Sequence, residues 1–347
     1  MDNIAVDSKQ TGPFQLRSEQ VGESIVMVGE KTQKLRYSDI IKGSVHVRSK
    51  TLASDEGNEE FTEGADFVIN YMEGTIRRIA SGRIPDWSNH VLYGNTNFNH
   101  TLYEDYSNDK YTLYMDYSYV DKGMAVHSLE GSNAGFGKKL QHSAAKLKQG
   151  CSINYVVYGD SISTGAEASR DCYKYFNRFA DRLRQVYPEG RVNVFMKAIG
   201  GEDSKGGLAR FQDDVLPLKP DVISIGYGMN DQNIFEGGKI GVPVDIFEKN
   251  IRSMVSMLQE IGNIDIILVT PCIPNPLWIH SSGYAHRYAE AIRKVGAEFD
   301  VCVADLQSLW IRELDAGKTH ESLLLNNINH PNDYGHWLYY RTLTEVL

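Results

Sequence analysis

The chain has 347 residues, a length that suits two domains, each large enough to bury a core of its own. Its formal net charge is −9 with acidic and basic residues interspersed, so it has no basic stripe to neutralise a phosphate backbone. Nucleic acid is therefore not an expected partner, and no apolar run approaches the roughly 20 residues that cross a bilayer.

The N-terminus and the cysteines indicate the cellular setting. The first residues, Met1-Asp2-Asn3-Ile4, lack the basic start and apolar stretch of a signal peptide, so a cytoplasmic protein is expected. The cysteines lie far apart and form no C-x-x-C pair, which argues against a zinc ribbon or a disulfide framework. They are Cys151, Cys172, Cys272 and Cys302.

The first part of the chain contains short runs of β-branched and aromatic residues separated by Gly, Asn, Asp and Ser. Such runs between turn signals predict an antiparallel all-β domain, a sandwich of jelly-roll type, over residues 1–140. Four of these runs are residues 24–28, 44–48, 66–71 and 111–117.

The pattern changes after Gly137. Residues 138–148 are typical of a short amphipathic helix that ends at Gly150, and the domain boundary is placed near residue 140. Beyond it, continuous apolar runs alternate with helix-period segments, which predicts a doubly wound α/β domain with a five-stranded parallel, flavodoxin-like sheet over residues 141–347. The five runs are residues 153–158, 192–196, 222–225, 264–269 and 301–304.

One helical segment has start, face and stop signals together. Pro243 suits a first turn, Gly262 is placed to end the helix, and apolar residues between them recur at spacings of three and four. The sequence thus predicts a helix between these two residues, and in such a domain the reactive groups gather at the carboxyl ends of the strands.

Four blocks of polar and glycine residues follow predicted strand ends or lie near the C-terminus. Gly-Asp-Ser161 follows the first strand of the sheet, Gly200-Gly201 follows the second, and Gly-Met-Asn230-Asp follows the third. The fourth block is His330-Pro331. Each block alone also fits an ordinary turn or helix cap, and it is their order along one α/β domain that indicates chemistry.

In that order the blocks resemble those of the SGNH/GDSL hydrolases. The resemblance implies that Ser161 attacks an ester carbonyl and that His330 is the general base. It also implies that the N–H groups of Ser161 and Gly201 and the amide of Asn230 bind the oxyanion, where each donor can be worth about 3 kcal/mol. No metal or organic cofactor is implied.

The chain departs from the family pattern behind the base. The family has D-x-x-H-P here, whereas Asn327 occupies the position of the Asp that orients the histidine. An Asn can fix the imidazole tautomer but cannot supply charge to an imidazolium. Three arrangements stay open: a Ser161–His330 dyad oriented by a backbone carbonyl or Asn327, an acid from elsewhere in the fold, and an inactive ligand-binding relative.

A second histidine satisfies D-x-x-H literally, because Asp333 precedes His336 by three residues. We prefer His330 as the base, since Pro331 follows it as in the family. His336 begins an apolar-periodic segment and is predicted to be a helix residue.

The order of a β-sandwich and then an SGNH domain resembles the family 2 carbohydrate esterases. This layout implies removal of acetyl groups from sugar hydroxyls of oligosaccharides. A lipid, aryl-ester or thioester hydrolase and an inactive carbohydrate-binding relative are the alternatives. The sandwich itself has three candidate roles: to bind sugar, to wall the cleft, or to make a homo-oligomer contact.

Trp278 lies on a proline-rich loop after the fourth strand of the parallel sheet, at residues 270–283. It is a candidate substrate wall that stacks on a sugar face. The alternative is that the loop is structural and that Trp278 packs against the other domain.

Overall fold

The computed structural model describes residues 16–121 and 139–347, which form two compact units. Residues 1–15 and 122–138 lie outside the described residues, and with them part of the predicted first domain and Lys138 of the predicted first helix. Each unit draws on both sides of residue 140, so a division into domains at that residue stays a prediction. The first unit contains residues 16–88, 111–121 and Ala316–Lys318, and the second contains Asn89–Lys110, 139–315 and Thr319–Leu347.

The first unit is built from two antiparallel sheets, of four and three strands. Side chains from both sheets, among them Ile25, Ile76 and Met115, form one buried apolar core, which confirms the predicted antiparallel all-β region. The strands are β1 (Leu16–Val26), β2 (Gln33–Lys34), β3 (His46–Arg48), β4 (Glu60–Phe61), β5 (Phe67–Asn70), β6 (Thr75–Arg78) and β7 (Thr112–Asp121). The sheet orders are β1-β7-β3-β4 and β2-β6-β5.

The second unit contains a five-stranded sheet whose strands are all parallel. Numbered one to five along the chain, they lie across the sheet in the order 2-1-3-4-5, which confirms the predicted flavodoxin-like sheet. The strands are β8 (Ser152–Gly159), β9 (Arg191–Met196), β10 (Val222–Gly226), β13 (Asp265–Val269) and β14 (Cys302–Ala304), and β11 (Ile234–Phe235) pairs with β12 (Lys239–Ile240) in a separate hairpin.

Helices connect the strands of this sheet. The helix predicted between Pro243 and Gly262 is confirmed, with Pro243 just before its first residue and Gly262 just after its last. In the described ranges no helix is long and apolar enough to cross a membrane. The helices are α1 (His142–Lys148), α2 (Tyr175–Val186), α3 (Ser204–Val215), α4 (Val244–Ile261), α5 (Ala285–Glu298), α6 (Leu306–Asp315), α7 (His320–Leu323) and α8 (Asp333–Thr344). Short 3-10 turns occupy Trp87–Asn89, His100–Leu102, Asp171–Tyr173, Leu216–Leu218 and Glu236–Gly238.

Alternate residues of β8 enter two different cores. Tyr155 and Val157 pack in one core with residues of α2 and α8, whereas Val156 and Tyr158 pack in the other with residues of α3 and α4. The sheet is thus covered on both faces. The carboxyl ends of its strands form one edge, which is called the sheet edge below. Gly159 of β8 lies in register with Gly226 of β10 there.

Candidate active site

Ser161 lies in a tight turn immediately after β8. The last residue of the strand, Gly159, has φ of +153°, and a Cβ on it would lie 2.2 Å from the carbonyl oxygen of Gly226, so only glycine fits there. The N–H groups of Thr164 and Ala166 then donate to the Ser161 carbonyl at 3.2 and 3.1 Å. These contacts fix the serine at the sheet edge, where 9% of its surface is exposed.

The structure brings together the two residues predicted as nucleophile and base. The distance from Ser161 Oγ to His330 Nε2 is 2.8 Å, which is within hydrogen-bond reach. The hydroxyl donates to Nε2 when the ring hydrogen is on Nδ1, which is the tautomer that a general base needs. The geometry fits proton transfer, and the catalytic roles of both residues stay predictions.

The loop that presents His330 is organised by Asn326. Its Oδ1 accepts the N–H groups of Ile328, Asn329 and His330 at 3.0, 3.0 and 2.9 Å. The His330 carbonyl in turn accepts the N–H of Leu325 at 2.9 Å. Sequence reasoning missed Asn326, although Asn is a residue that commonly caps its own following turn.

The Asn327 side chain makes no hydrogen bond to the His330 ring. It is 1% exposed, and within the described part of the chain its amide oxygen and nitrogen make no hydrogen bond. Its backbone has φ of +61°, and its carbonyl accepts the side-chain N–H of Asn275 at 2.9 Å. The interaction predicted from the family position, in which Asn327 orients His330, is therefore absent from this geometry.

A carboxylate that sequence reasoning missed lies beside the other nitrogen of the ring. Glu167 Oε1 is 3.8 Å from His330 Nδ1, a distance that suits an ion pair and exceeds a hydrogen bond. Glu167 belongs to the loop that follows the nucleophile. No spacing in the sequence links it to His330, because their contact depends on the tertiary fold.

The second histidine, His336, lies within α8 as predicted. It is fully buried, its Nε2 is 2.9 Å from the carbonyl oxygen of Ala166, and burial lowers its pKa to about 4. Asp333 at the start of the same helix accepts the N–H and hydroxyl of Ser169 at 2.8 and 2.6 Å. The literal D-x-x-H motif thus attaches the loop after Ser161 to α8, and it is His330 whose ring reaches Ser161.

The three predicted oxyanion donors come from separate turns at the same sheet edge. Within residues 16–121 and 139–347, the N–H groups of Ser161, Gly200 and Gly201 have no acceptor. A Cβ on Gly200 would lie 3.9 Å from that of Ser161, whereas one on Gly201 would have no neighbour within 4 Å. Gly200 is therefore the glycine that borders the serine side chain, and the Gly201 N–H as donor stays a prediction.

Asn230 is half-buried and connects the third block to the second. Its side-chain nitrogen donates to the Glu202 carbonyl at 2.9 Å, which uses one of its two hydrogens and leaves one for an oxyanion. The Glu202 carboxylate is fixed in turn by Arg210 at 2.6 and 2.7 Å and by the hydroxyl of Tyr227 at 2.7 Å. The amide is thus held by a residue that is itself fixed by several hydrogen bonds.

Asp231, the residue after Asn230, ties the same two blocks together from below. Its carboxylate accepts the N–H of Ser204 at 2.9 Å and that of Gly228 at 3.0 Å. Burial raises the pKa of Asp231 to about 6 against the opposing effect of the Ser204 hydrogen bonds. These two hydrogen bonds fix the loops that contain the predicted oxyanion donors.

The family model described as GDSL-like Lipase/Acylhydrolase matches residues 157–338, a little over half of the chain. The chain belongs to this family. The match begins in β8, ends in α8, and includes Ser161, Gly201, Asn230 and His330. This GDSL-like hydrolase is therefore a carboxylic ester hydrolase.

The matches to relatives of this GDSL-like hydrolase cover different shares of its length. An uncharacterized lipoprotein of Bacillus subtilis, YqeF, is 28% identical over 198 residues, which are 51% of this chain and 80% of the relative. An acetylxylan esterase of Geobacillus stearothermophilus is 34% identical over 93 residues, 26% of this chain and 42% of the esterase. The solved structure of a two-domain esterase (CEX) active on acetylated mannans, co-crystallized with mannopentaose, has a TM-score of 0.50 at 20% identity over 60% of this chain and 54% of its own, a likeness of fold.

The hydrolase unit also includes a segment that the sequence pattern had assigned to the sandwich, Asn89–Lys110. Asn108 in this segment is fully buried. Its N–H donates to the Leu325 carbonyl at 2.7 Å, and its side chain donates to the Leu324 carbonyl at 2.9 Å. Residues from the N-terminal half thus support the loop that leads to His330.

Trp278 packs inside the same unit. It is 6% exposed, its indole N–H donates to His100 Nδ1 at 3.1 Å, and it clusters with Leu92, Phe98 and Ile328. Little of the ring is left to stack on a sugar, so the geometry disfavours the predicted substrate wall. The packing alternative describes this tryptophan, although its partners belong to its own unit.

Proposed function

We propose that this GDSL-like hydrolase removes acetyl groups from sugar hydroxyls of oligosaccharides through a Ser161–His330 dyad. The observation that supports the dyad is the 2.8 Å contact between Ser161 Oγ and His330 Nε2 at the sheet edge. The substrate class follows the 34% identity to an acetylxylan esterase over 93 residues. Family membership alone leaves the acyl group and the alcohol open.

In the acylation half, Ser161 Oγ attacks the acetyl carbonyl carbon while its proton moves to His330 Nε2. The carbonyl oxygen becomes an oxyanion, which the N–H groups of Ser161 and Gly201 and the amide of Asn230 bind. When the tetrahedral intermediate collapses, the bond to the sugar oxygen breaks. His330 returns the proton to that oxygen, and the sugar leaves with a free hydroxyl.

In the second half, water attacks the acetyl-Ser161 ester. His330 takes one proton of the water, and the same donors bind the second oxyanion. Collapse breaks the bond to Ser161 Oγ, which regains its proton from His330. Acetate is the second product, and the enzyme returns to its starting state.

The test is acetate release from acetylated xylo- and manno-oligosaccharides. We expect S161A to lose at least about 1,000-fold in kcat, because removing the nucleophile removes the covalent route. S152A is the matched control, since Ser152 is exposed at the opposite end of β8, and it should keep full activity. Comparable acetate release by S161A overturns the dyad.

Two further measurements separate the proposal from its alternatives. In a chain-length series of p-nitrophenyl esters, the acetyl ester should give the highest kcat/KM, and a preference for chains of eight carbons or more overturns the acetylesterase proposal. A fluorophosphonate should label Ser161 covalently. A protein that binds carbohydrate without catalysis would leave the probe unreacted.

A further inference from the structure

The proposed dyad lacks a charge behind its base. When His330 takes the serine proton it becomes an imidazolium, and in most Ser-His hydrolases a carboxylate stabilises that cation. In this chain the family position holds Asn327, whose amide makes no hydrogen bond within the described residues. A charge that stabilises the His330 imidazolium must therefore come from another residue.

Glu167 is the carboxylate placed to do it. Its Oε1 lies 3.8 Å from Nδ1, the nitrogen on the far side of the ring from Ser161, so the acid, the imidazole and the hydroxyl follow one another in the order that proton transfer requires. The His330 side chain is 21% exposed and that of Glu167 is 36% exposed, so water partly screens the pair.

The backbone around Glu167 is held in an unusual conformation. Glu167 has φ of +66°, in the left-handed region that non-glycine residues rarely adopt. The loop is fixed on both sides of it, because Ala166 contacts the buried His336 and Ser169 binds Asp333. Such strain persists where the surrounding structure imposes it, and functional sites are where it concentrates.

We propose that Glu167 is the positioning residue for His330 in this enzyme, an acid supplied by the loop after the nucleophile in place of the family's aspartate. The inference rests on the proposed Ser161–His330 chemistry. The serine proton moves to Nε2 and Nδ1 keeps its own proton, so no proton passes to Glu167. The carboxylate attracts the imidazolium as it forms and favours the tautomer with hydrogen on Nδ1.

Two other titratable residues near His330 do not supply a free negative charge. Asp333 is bound to Ser169, and His336, which faces His330 from α8, is a buried neutral ring with a pKa of about 4. Among the described residues, Glu167 is the one acidic group within 4 Å of a His330 nitrogen. A single substitution therefore isolates its charge.

The test uses E167Q in the full chain with p-nitrophenyl acetate. We expect kcat to fall about 10-fold with KM nearly unchanged, because the charge acts on the transition state and not on substrate binding. The gap between wild type and E167Q should narrow at 1 M salt, where the pair is screened.

Two variants separate charge from structure. E167D keeps the carboxylate and should recover part of the activity. D171N removes an exposed carboxylate that is already paired with Lys174, and it should behave as wild type. The rate at which a fluorophosphonate labels Ser161 should fall in E167Q as kcat does. That rate reports on the dyad even if the acetyl-sugar substrate is wrong.

Three outcomes overturn the inference. The first is an E167Q enzyme with unchanged kcat. The second is a loss that neither E167D nor salt alters and that accompanies a lower melting temperature, which would indicate a structural role. The third is S161A with wild-type activity, which overturns the dyad itself and is recognised independently of Glu167.

Discussion

At the scale of single residues, the base is held from its backbone and from both sides of its ring. Asn326 fixes the main chain of the loop, the Ser161 hydroxyl donates to the ring on one side and Glu167 faces it on the other. An imidazole so restrained needs no hydrogen bond from the family's aspartate position to keep its orientation. The dyad is therefore compatible with an asparagine at residue 327.

This arrangement predicts that N326A loosens the base. Three backbone N–H groups would lose their acceptor in a buried loop, which we expect to cost about 1–3 kcal/mol and to lower kcat about 10-fold. Urea unfolding and p-nitrophenyl acetate turnover measure the two effects. N326D keeps an oxygen acceptor and serves as the control.

The result that contradicts this prediction is N326A with wild-type kcat. Such a result would mean that Asn108 and the other contacts of the loop suffice to place His330. If N326D and N326A lose activity equally, the amide donor of Asn326, which binds Asn329 at 3.1 Å, matters more than its oxygen.

At the scale of elements, the sequence predicts what depends on local pattern. The five strands of the parallel sheet were predicted from continuous apolar runs, and the helix after Pro243 from apolar residues at spacings of three and four. Both signals lie in neighbouring residues of the sequence. The sequence predicts Ser161 from a motif at a strand end and His330 from a motif near the C-terminus. Glu167 and Asn108 were not, because each acts on a residue distant in sequence and only the fold brings the partners together.

One segment makes a long-range contact that hydrophobic periodicity does not predict. Residues Ala316–Lys318, between α6 and α7, belong to the β-sheet unit. Lys318 is buried there, and its ammonium contacts Glu23 Oε1 at 2.5 Å and the Ser24 carbonyl at 2.7 Å. Glu23 is fully buried and also binds the hydroxyl of Tyr117. A hydrophobic pattern in the sequence does not predict a buried ion pair of this kind.

This pair predicts a large effect of K318M. The substitution preserves volume but leaves the Glu23 charge buried without its cation, which should cost about 3–5 kcal/mol of unfolding free energy. Urea unfolding followed by circular dichroism measures it. The double variant E23Q/K318M removes both charges and should recover most of the loss, so a double variant less stable than K318M contradicts the account.

At the scale of the whole molecule, buried groups of opposite kind titrate across the same pH range. Burial raises the pKa of Asp160 to about 7 and that of Asp231 to about 6, and it lowers the pKa of His320 and His336 to about 4. The raised acids contribute stability at low pH that is lost as pH rises toward 6–7. The depressed histidines contribute stability above about 6.5 that is lost as pH falls toward 4.

Between pH 4 and 7 these two contributions oppose each other, so the stability of the whole chain should vary less than either group alone dictates. A variant that removes a buried acid should therefore reveal the pH dependence that the buried histidines contribute. Asp160 is suited to this, because its carboxylate accepts the N–H of Ile162 at 3.0 Å and an Asn oxygen can accept the same bond.

We therefore expect D160N to gain stability relative to wild type as pH rises from 4.5 to 7.5. In this range the wild-type protein must ionise a buried carboxyl whose pKa lies near 7, whereas the amide has no proton to lose, so the difference in unfolding free energy should grow by at least about 1.4 kcal/mol, the equivalent of one pKa unit. Urea titrations at the two pH values measure it, with D213N, an exposed carboxylate on α3, as the matched control for charge. A difference that stays constant across this range would mean that Asp160 is already ionised at pH 4.5.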